Sequence, residues 1–374
     1  MLSPADDFPV HQTPEPLAHP ATSDPNHYDR YFFNGGTPDG SLFFAVALGL
    51  YPNREVIDAA FSVVSDGRQV SVHSSGRCPI DRSTTVGPVT VEVVVPLRSL
   101  RVVVDARDEG LAADLLFTAR TAAVEEPRFT RRHGTRVVFD YTRLTQWGEW
   151  SGWVEVDGRR IELHPGQVRG CRDRSWGIRP VGERSGGVPG PAPQFFWLWA
   201  PTNFDDICVH FASNEETDGT PWHRSGFIVP VGAAAPKAVE AVAHRVEWRP
   251  GTRRAAYAEI DLVGNGGDPQ TLRLEPLWEF QMLGLGYLHP EWGHGVWKGE
   301  SAVAGERWEL PVPDPLALHH LHVQAVCRAT FGDRTGTGVL EQLVIGPYEP
   351  AGFTDLFDGA SPPSTGARAG SRPM

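Results

Sequence analysis

The sequence lacks the short motifs that identify many enzyme classes. It has no Gly-x-Ser-x-Gly nucleophile elbow, no phosphate-binding Gly-x4-Gly-Lys-[Ser/Thr] loop and no His-Glu-x-x-His zinc motif. A glycine fingerprint for a dinucleotide, placed directly after a strand, is also missing. A nucleotide- or flavin-dependent mechanism therefore has no support in the sequence, and we predict a protein that needs no cofactor.

Several other features are scarce. The four cysteines form no Cys-x-x-Cys pair, which argues against a zinc site or a disulfide framework. The net charge of −12 argues against a nucleic-acid partner, which would require a basic face. No apolar run approaches the ~20 residues of a membrane helix, and the acidic, proline-rich N-terminus does not resemble a secretory signal. We expect a cytoplasmic protein without stable membrane insertion.

Glycine, proline and tryptophan are abundant, with 40, 33 and 12 residues respectively. This level of Gly and Pro separates many short elements and argues against a helical bundle. The segments between them alternate or are β-branched, as in "VTVEVVVPL", "RVVFDYTRL" and "GWVEVDGRRIEL". Asp157-Gly158 is a hairpin turn signal, and residues 96–120 fit two strands around Asp108-Glu109-Gly110. We predict an all-β protein with fifteen or more strands.

The chain divides near its middle, at the Gly- and Pro-rich "GERSGGVPGPAPQ". We therefore expect a β domain over residues 27–185, a linker over 186–194 and a second β domain over 195–355. Residues 1–26 and 356–374 contain few large apolar side chains and are predicted to be flexible tails. Two antiparallel units of this size are typical of barrels or sandwiches.

The stretch "RGCRDRSWGIRP", residues 169–180, contains the first candidate for catalysis. If it is a strand, Asp173 and Ser175 face one way, and Arg172, Arg174 and Trp176 face the other. An apolar cavity would raise the pKa of Asp173, and a neighbouring arginine would lower it. The alternative is a structural Asp–Arg pair at a strand end.

Two further carboxylates are candidates for the acid. Glu149 lies between Trp147 and Trp153 on one predicted strand face, although a solvent-facing glutamate at a tryptophan rim is an alternative. Glu341, in "GTGVLEQLVIG", is an acid within an apolar strand and needs a partner if it is buried. Structural and catalytic interpretations of Glu341 are about equally supported.

Residues 276–300 are rich in aromatic and histidine side chains. The irregular spacing of His289 and His294 fits no standard zinc pattern, so we predict no metal. We instead expect a loop over a cavity mouth that contacts substrate. The candidate binding residues of this stretch are Trp278, Tyr287, His289, Trp292 and His294.

The segment "GWVEVDGRRIELHPGQVRGCRDRSWGIRP" resembles the carotenoid 1,2-hydratase (hydroxyneurosporene synthase)/AttH-like superfamily, in which a Trp-bearing strand and a Gly-Arg turn precede an Arg-Asp-[His/Arg]-Ser-Trp-Gly segment. "GTGVLEQLVIGPYEPAGF" resembles the closing segment of an uncharacterised branch of that group. The resemblance implies two consecutive lipocalin-like β-barrels and chemistry on apolar substrates, namely hydration or cyclisation. It makes Asp173 the leading acid, with Trp176 and Arg172 or Arg174 shaping its site. Arg174 replaces a histidine that is common in the hydratase.

Our main hypothesis is a cofactor-independent hydro-lyase, cyclase or isomerase with an isoprenoid, steroid-like or polyketide substrate. Asp173 or Glu149 would protonate a double bond or activate a carbonyl, and tryptophan faces would stabilise a developing cation. The second hypothesis is a lipocalin-like carrier of a hydrophobic small molecule. A glycosidase-like β-sandwich is a third, less supported alternative. A homodimer is compatible with each hypothesis.

Overall fold

The protein is all-β. The computed structural model describes residue 9 and residues 12–183, 188, 193–232, 234–239, 241–264 and 268–362. These residues contain no α-helix, only strands and short 3-10 turns, and every strand ladder is antiparallel. The predicted fold class is therefore confirmed. Among these residues, no helix is long and apolar enough to cross a membrane.

Twelve strands precede the middle of the chain. They are β1 (His27–Gly36), β2 (Leu42–Tyr51), β3 (Val56–Ser65), β4 (Arg68–Arg77), β5 (Thr85–Val86), β6 (Val89–Val95), β7 (Ser99–Ala106), β8 (Leu111–Ala119), β9 (Val124–Glu125), β10 (Phe129–His133), β11 (Arg136–Val156) and β12 (Arg159–Ile178).

Eleven strands follow. They are β13 (Phe195–Trp199), β14 (Thr202–Asn203), β15 (Ile207–Glu215), β16 (Pro221–Pro230), β17 (Lys237–Ala238), β18 (Ala241–Trp248), β19 (Ala255–Val263), β20 (Gln270–Gln281), β21 (Ser301–Glu309), β22 (Val323–Phe331) and β23 (Arg334–Ile345).

The strands form two sheets. The first has the order β21-β4-β3-β2-β1-β12-β11-β8-β7-β6-β5, with β9 and β10 also paired to β11. Its path curls, because β3 and β4 also contact β5 and β6 near the opposite end. The second has the order β17-β16-β15-β13-β23-β22-β20-β19-β18, with β14 paired to β15 and β23. Its two ends also approach each other, where β16 contacts β18.

Apolar side chains form three clusters. One lies within the first sheet and includes Phe44 and Trp150, and one lies within the second and includes Phe211. The third lies between the sheets, where Phe32 of β1 meets Trp199 of β13 edge to face at 5.9 Å. This third cluster surrounds the candidate site.

Two predicted local features are present. Asp157 and Gly158 join β11 to β12 in a two-residue turn with φ values of 48° and 79°, the left-handed conformation that such hairpins require. β7 and β8 form the predicted strand pair, joined by a 3-10 turn over Arg107–Glu109. Both local turns that the sequence predicts are therefore present in the structure.

One strand from the second half of the chain belongs to the first sheet. β21 comes from the predicted second domain but pairs with β4 along its whole length, from Ser301↔Gly76 to Glu309↔Arg68. This pairing satisfies backbone groups on the edge of β4 that would otherwise be open. It also fixes the segment between β20 and β21 against the first sheet.

The predicted tails and the linker lie partly outside the described residues. In the described part of the N-terminal segment, Arg82 donates to Ala18 O at 2.8 Å and Asn53 to Thr22 O at 2.8 Å. Near the C-terminus, Arg253 donates to the Asp358 carboxylate at 2.6 Å. Residues 18–26 and 355–360 thus contact the sheets, and the domain boundaries themselves stay predictions.

Candidate functional site

A cavity of about 450 Å³ lies between the two sheets. β1, β11 and β12 form one wall, and β13, β15, β16 and β23 form the other. The segment from Gly286 to His294 covers one side. Aromatic side chains make up much of the apolar lining, namely Phe32, Phe139, Tyr141, Phe195, Trp197, Trp199, Trp222 and Tyr287.

The polar part of the first wall follows from strand register. Asp173 of β12 lies opposite Phe32 of β1, and Ser175 lies between Arg30 of β1 and Arg143 of β11. Residues two apart on a strand share a face, so these side chains converge on the cavity. The predicted orientation of Asp173 and Ser175 is the one the structure has.

Asp173 is a carboxyl group of the cavity wall with a raised pKa. Burial raises its pKa to about 6, although the guanidiniums of Arg143, Arg30 and Arg179 oppose this rise. Among the described residues, none forms a hydrogen bond with the Asp173 carboxyl group. The group is therefore available to a ligand and titrates near neutral pH.

Arg143 is held by a buried carboxylate behind the wall. Its Nε and Nη2 donate to Glu126 at 2.7 and 2.6 Å, and Thr145 Oγ1 donates to the same carboxylate at 2.6 Å. His210 Nε2 lies 3.3 Å from Glu126 Oε2. Although burial opposes it, the charge of Arg143 keeps the pKa of Glu126 well below its usual value. The Arg143–Glu126 pair is thus ionised and close to neutral as a unit.

Glu341 lines the cavity, but its carboxylate is fully engaged. It accepts hydrogen bonds from Trp197 Nε1 at 2.9 Å, His322 Nε2 at 2.9 Å and Gln324 Nε2 at 2.6 Å. Although burial acts in the opposite direction, these donors lower the pKa of Glu341. A carboxylate held in this way stabilises Trp197 and His322 and is a poor proton donor at neutral pH.

The loop that covers the cavity is anchored to the first sheet. The Gln69 side chain donates to Gln281 O at 2.8 Å and accepts from Gln281 N at 2.8 Å, just before the 3-10 turn Met282–Leu285. Gly286 ends this turn with φ of 88°. A Cβ there would lie 2.6 Å from Trp292 O and 3.1 Å from His294 Cδ2, so the close loop crossing requires glycine.

The same loop brings His294 to Arg30. Arg30 Nη1 lies 2.7 Å from His294 Nδ1, while His294 Nε2 lies 2.8 Å from Leu285 O. Burial, together with the charges of Arg30 and Arg179, holds the pKa of His294 well below its usual value. His294 is therefore neutral, with Nε2–H donating to the carbonyl and Nδ1 accepting from Arg30.

His289 lines the cavity and also belongs to a group that could be taken for a metal site. His73, His289 and Glu306 place one ligand atom each within 4.8 Å of one another. However, His289 Nδ1 accepts hydrogen bonds from the backbone N–H of Glu291 and Trp292, at 3.0 and 2.8 Å. Its proton is then on Nε2 and donates to Glu306, whereas a ligating Nε2 would have to be free. The hydrogen bonds fit a His–Glu–His cluster and do not fit a metal ligand.

Three predicted residues of β11 lie away from the cavity. Trp147 is buried between the sheets but does not line the cavity, and neither does Glu149. Trp153 lies under the Arg160 guanidinium at 4.1 Å. These residues share a strand face, as predicted, but Glu149 is six residues beyond Arg143, about 20 Å along an extended strand. β11 is 21 residues long and extends past the cavity.

Three predicted residues of β12 face away from Asp173. Arg172 donates to Gln146 Oε1 at 2.9 Å, Arg174 pairs with Asp29, and Trp176 is 40% exposed. None of the three lines the cavity, where the arginines beside Asp173 are Arg30, Arg143 and Arg179.

Two predicted aromatic residues also serve other contacts. Trp278 donates to Gly40 O at 3.0 Å and meets Phe43 edge to face. Trp292 stacks on His73 at 5.7 Å, behind the cavity wall. Of the ten predicted binding residues, Tyr287, His289 and His294 line the cavity.

Sequence reasoning missed the three cavity arginines and the tryptophans of β13 and β16. Arg30 had a usable signal, because "YDRYF" alternates and places it between Tyr28 and Phe32 on one strand face. A charged residue flanked by buried aromatic residues on the same face indicates a functional or paired group. Arg143 had the same signal, because Phe139 and Tyr141 precede it on one face of the predicted strand "RVVFDYTRL". Arg179 lies just beyond the end of β12.

Comparisons with known proteins agree with this architecture. The family of unknown function DUF8625 matches residues 2–354. No curated protein matches the sequence. The crystal structure of an AttH-like protein from Nitrosomonas europaea is similar with a TM-score of 0.50 and 15% identity, covering 90% of this chain and 98% of that one. Kievitone hydratase from Nectria haematococca is similar with a TM-score of 0.51 and 12% identity, covering 84% and 88% respectively. The predicted resemblance to the hydratase/AttH-like group is confirmed for the fold.

Proposed function

The chain belongs to DUF8625, and we propose that it is a cofactor-independent enzyme that performs acid–base chemistry on a hydrophobic substrate in the cavity between its sheets. The reaction classes we propose are hydration, its reverse, or cyclisation. Similarity in fold to a protein named kievitone hydratase is compatible with this proposal. The properties of the cavity support it directly.

One observation carries the proposal. Asp173 presents a carboxyl group without a hydrogen-bond partner among the described residues to an aromatic cavity, with a pKa of about 6. At pH 7 about a tenth of such groups carry the proton, so the acid and base forms are both populated. A group with these properties can donate a proton and take one back in a single catalytic cycle.

In a hydration, protonated Asp173 transfers its proton to one carbon of a double bond. The oxygen of a water molecule bonds to the other carbon, and the proton that the water loses returns to the Asp173 carboxylate. The enzyme is regenerated, and the substrate gains H and OH. Dehydration is the reverse of this sequence, and in a cyclisation a nucleophile within the substrate replaces the water.

The cavity supports a hydrophobic substrate of small-molecule size. A volume of about 450 Å³ lies within the range of ligand sites, and such sites are mostly apolar with a few polar groups that fix orientation. Here the aromatic walls supply apolar contact, and Asp173 with its arginine neighbours supplies the polar groups. An isoprenoid, steroid-like or polyketide skeleton fits this description.

The expected stabilisation of a cation by tryptophan is less favourable than the sequence suggested. The guanidinium of Arg143 lies over the rings of Trp197 and Trp199 at 4.9 and 5.5 Å. Arg30 and Arg179 add two more positive charges at the cavity wall. Like charges repel strongly in a site of low dielectric constant. The proposed chemistry therefore favours polarised, oxygen-bearing substrates over isolated alkenes.

The first experiment is native mass spectrometry of freshly purified protein, followed by extraction of any bound apolar compound. Turnover of that compound, or of its dehydrated or hydrated form, is then compared for wild type, Asp173→Asn and Glu149→Gln. We expect Asp173→Asn to lose at least about a hundredfold in kcat, the usual contribution of a general acid. Glu149→Gln, which removes a carboxylate outside the cavity, should retain wild-type turnover.

Two results would contradict this assignment. If Asp173→Asn keeps its turnover, the acid is a different group. If it loses turnover together with its circular dichroism spectrum, the Asp–Arg cluster has a structural role.

The alternative is a carrier function. It is favoured by the hydrogen bonds that engage the carboxylates of Glu341 and Glu126, because neither group is then available to transfer a proton. A carrier needs apolar walls and a few polar anchors only. A ligand that co-purifies and is recovered unchanged after prolonged incubation with the protein supports this alternative.

A further inference from the structure

We propose that Arg30 and Arg179 bind a carboxylate group at one end of an otherwise apolar ligand. This inference rests on the proposed use of the cavity but does not require catalysis. It names the substrate class as an apolar carboxylic acid.

Arg30 is a buried cation whose nearest partners are neutral. Its side chain is 1% exposed and lines the cavity. The contacts of its guanidinium are the ring nitrogens of His294, at 2.7 and 2.8 Å, and the face of Tyr287, at 4.7 Å. Its Nε has no hydrogen-bond partner, and no described carboxylate lies within ion-pair distance. Buried cations are normally paired.

Arg179 repeats this situation on the same wall. Its guanidinium lies over the ring of Tyr28 at 4.5 Å, and its Nη2 is buried without a hydrogen-bond partner. It too has no carboxylate within ion-pair distance among the residues that the structure describes. Two guanidiniums thus face one cavity with donors to spare, and a planar carboxylate matches their geometry.

None of the acids around the cavity is a direct partner of these two guanidiniums among the described residues. Glu126 is paired with Arg143, and Glu341 accepts its three hydrogen bonds on the opposite wall. Asp58 and Asp173 are the remaining acids near these arginines, and neither forms an ion pair or a hydrogen bond with Arg30 or Arg179. Asp58 is also occupied by Tyr51 Oη and the N–H of Gly295. A ligand carboxylate would supply the direct hydrogen-bond partner that Arg30 and Arg179 lack.

The opposite wall indicates what the rest of the ligand is. Trp197, Trp199 and Trp222 line the cavity there, with Leu343 and Ile345 beside them. A carboxylate at the arginines would direct an apolar skeleton along these side chains and past Asp173. The polar and apolar walls together define the orientation of the ligand.

The test uses two probes that differ only in charge, cis-parinaric acid and its methyl ester. Their polyene fluorescence rises in an apolar site, so titration at pH 7.5 gives a Kd for each with the full-length protein. We expect the acid to bind at least about tenfold more tightly than the ester, since a charge-assisted hydrogen bond is roughly twice as strong as a neutral one. Equal affinities, or failure of the acid to bind, would overturn the proposal.

Variants then assign the discrimination to the two arginines. Arg30→Met and Arg179→Met keep the apolar stem, and each should weaken binding of the acid about tenfold while changing that of the ester less than about threefold. Arg174→Met is the matched control, because Arg174 lies on the opposite face of β12 and should affect neither probe. Ile345→Trp, which fills the cavity, should weaken both probes.

The outcomes separate this inference from the proposed enzyme function. If Asp173→Asn loses turnover but the wild-type protein binds acid and ester equally, the protein is an enzyme whose substrate has no carboxylate. If the preference for the acid over the ester depends on Arg30 and Arg179 but no acid is turned over, the protein is a carrier of carboxylic acids. An equal loss for both probes in the arginine variants would assign these residues to packing and contradict the proposal.

Discussion

Arg30 and His294 meet with both terminal guanidinium nitrogens against the two ring nitrogens, at 2.7 and 2.8 Å, although 264 residues separate them. The contact joins the first strand of the first sheet to the loop before β21. Because His294 is neutral, it accepts a hydrogen bond from Arg30 without neutralising its charge. Arg30 therefore has no ion-pair partner among the described residues, and a ligand carboxylate can take that place.

The neutral state of His294 predicts a loss of stability in mild acid. Its pKa is well below 6.5 in the folded protein, so below pH 6.5 the unfolded chain takes up a proton that the folded chain does not. Between pH 7.5 and 5.5 this histidine should cost about 1 kcal/mol of unfolding free energy. His294→Gln should show a smaller decrease over this range in urea unfolding. An unchanged decrease would mean that His294 is protonated in the folded state.

The raised pKa of Asp173 predicts the opposite dependence of stability on pH. Its pKa rises from 3.8 to about 6 on folding, so between these values the folded chain binds more protons and stability falls as the pH rises. Asp173→Asn removes this cost. Relative to wild type, it should be about 2 kcal/mol more stable at pH 8 than at pH 4.

Glu149→Gln is the matched control for Asp173→Asn, because it removes a carboxylate that does not line the cavity, and the change in stability of Asp173→Asn between the two pH values is judged against it. Denaturant unfolding of the three proteins at pH 4 and pH 8 measures this. An equal effect at both values would show that the pKa of Asp173 does not rise on folding, and a larger destabilisation at pH 8 would show that its carboxylate is favourably paired.

The sequence indicated the strand content, the Asp157-Gly158 turn and the side of β12 on which Asp173 lies, because these depend on local turn chemistry and on the alternation of strand side chains. It did not indicate where along a strand the cavity would be. Glu149 shares a face with Trp147, but only one end of the long β11 strand borders the cavity.

Long-range pairing accounts for the remaining differences. The pairing of β21 with β4 and the contact of Arg30 with His294 join segments more than 200 residues apart. No pattern within either segment specifies its partner. The candidate binding residues of the loop were therefore found in part, whereas the arginines that face them were not.

The buried pair of Glu126 and Arg143 should be strongly coupled. Glu126→Gln leaves the Arg143 guanidinium buried without its counter-charge, which typically costs about 3–5 kcal/mol. Arg143→Met alone leaves a buried carboxylate and should cost a similar amount. The double variant should be less destabilised than the sum of the two, and urea unfolding of all four proteins measures the difference. Simple additivity would contradict a direct pair.

Gln69 should control the stability of the loop that covers the cavity. Its amide pairs with both backbone groups of Gln281, so Gln69→Leu would leave a buried N–H and a buried C=O without partners. Each such group typically costs about 1–3 kcal/mol, and we expect a total loss of about 2–4 kcal/mol.

Gln270→Leu is the control, since Gln270 is exposed at the start of β20 and its replacement should change stability by less than about 0.5 kcal/mol. Hydrogen exchange distinguishes a local effect from a global one. In Gln69→Leu, the amides of Gln281 and Gly286 should exchange faster, while those of β2 keep their relative protection. Uniform acceleration throughout the first sheet would show that Gln69 stabilises the sheet as a whole and has no separate role in holding the loop.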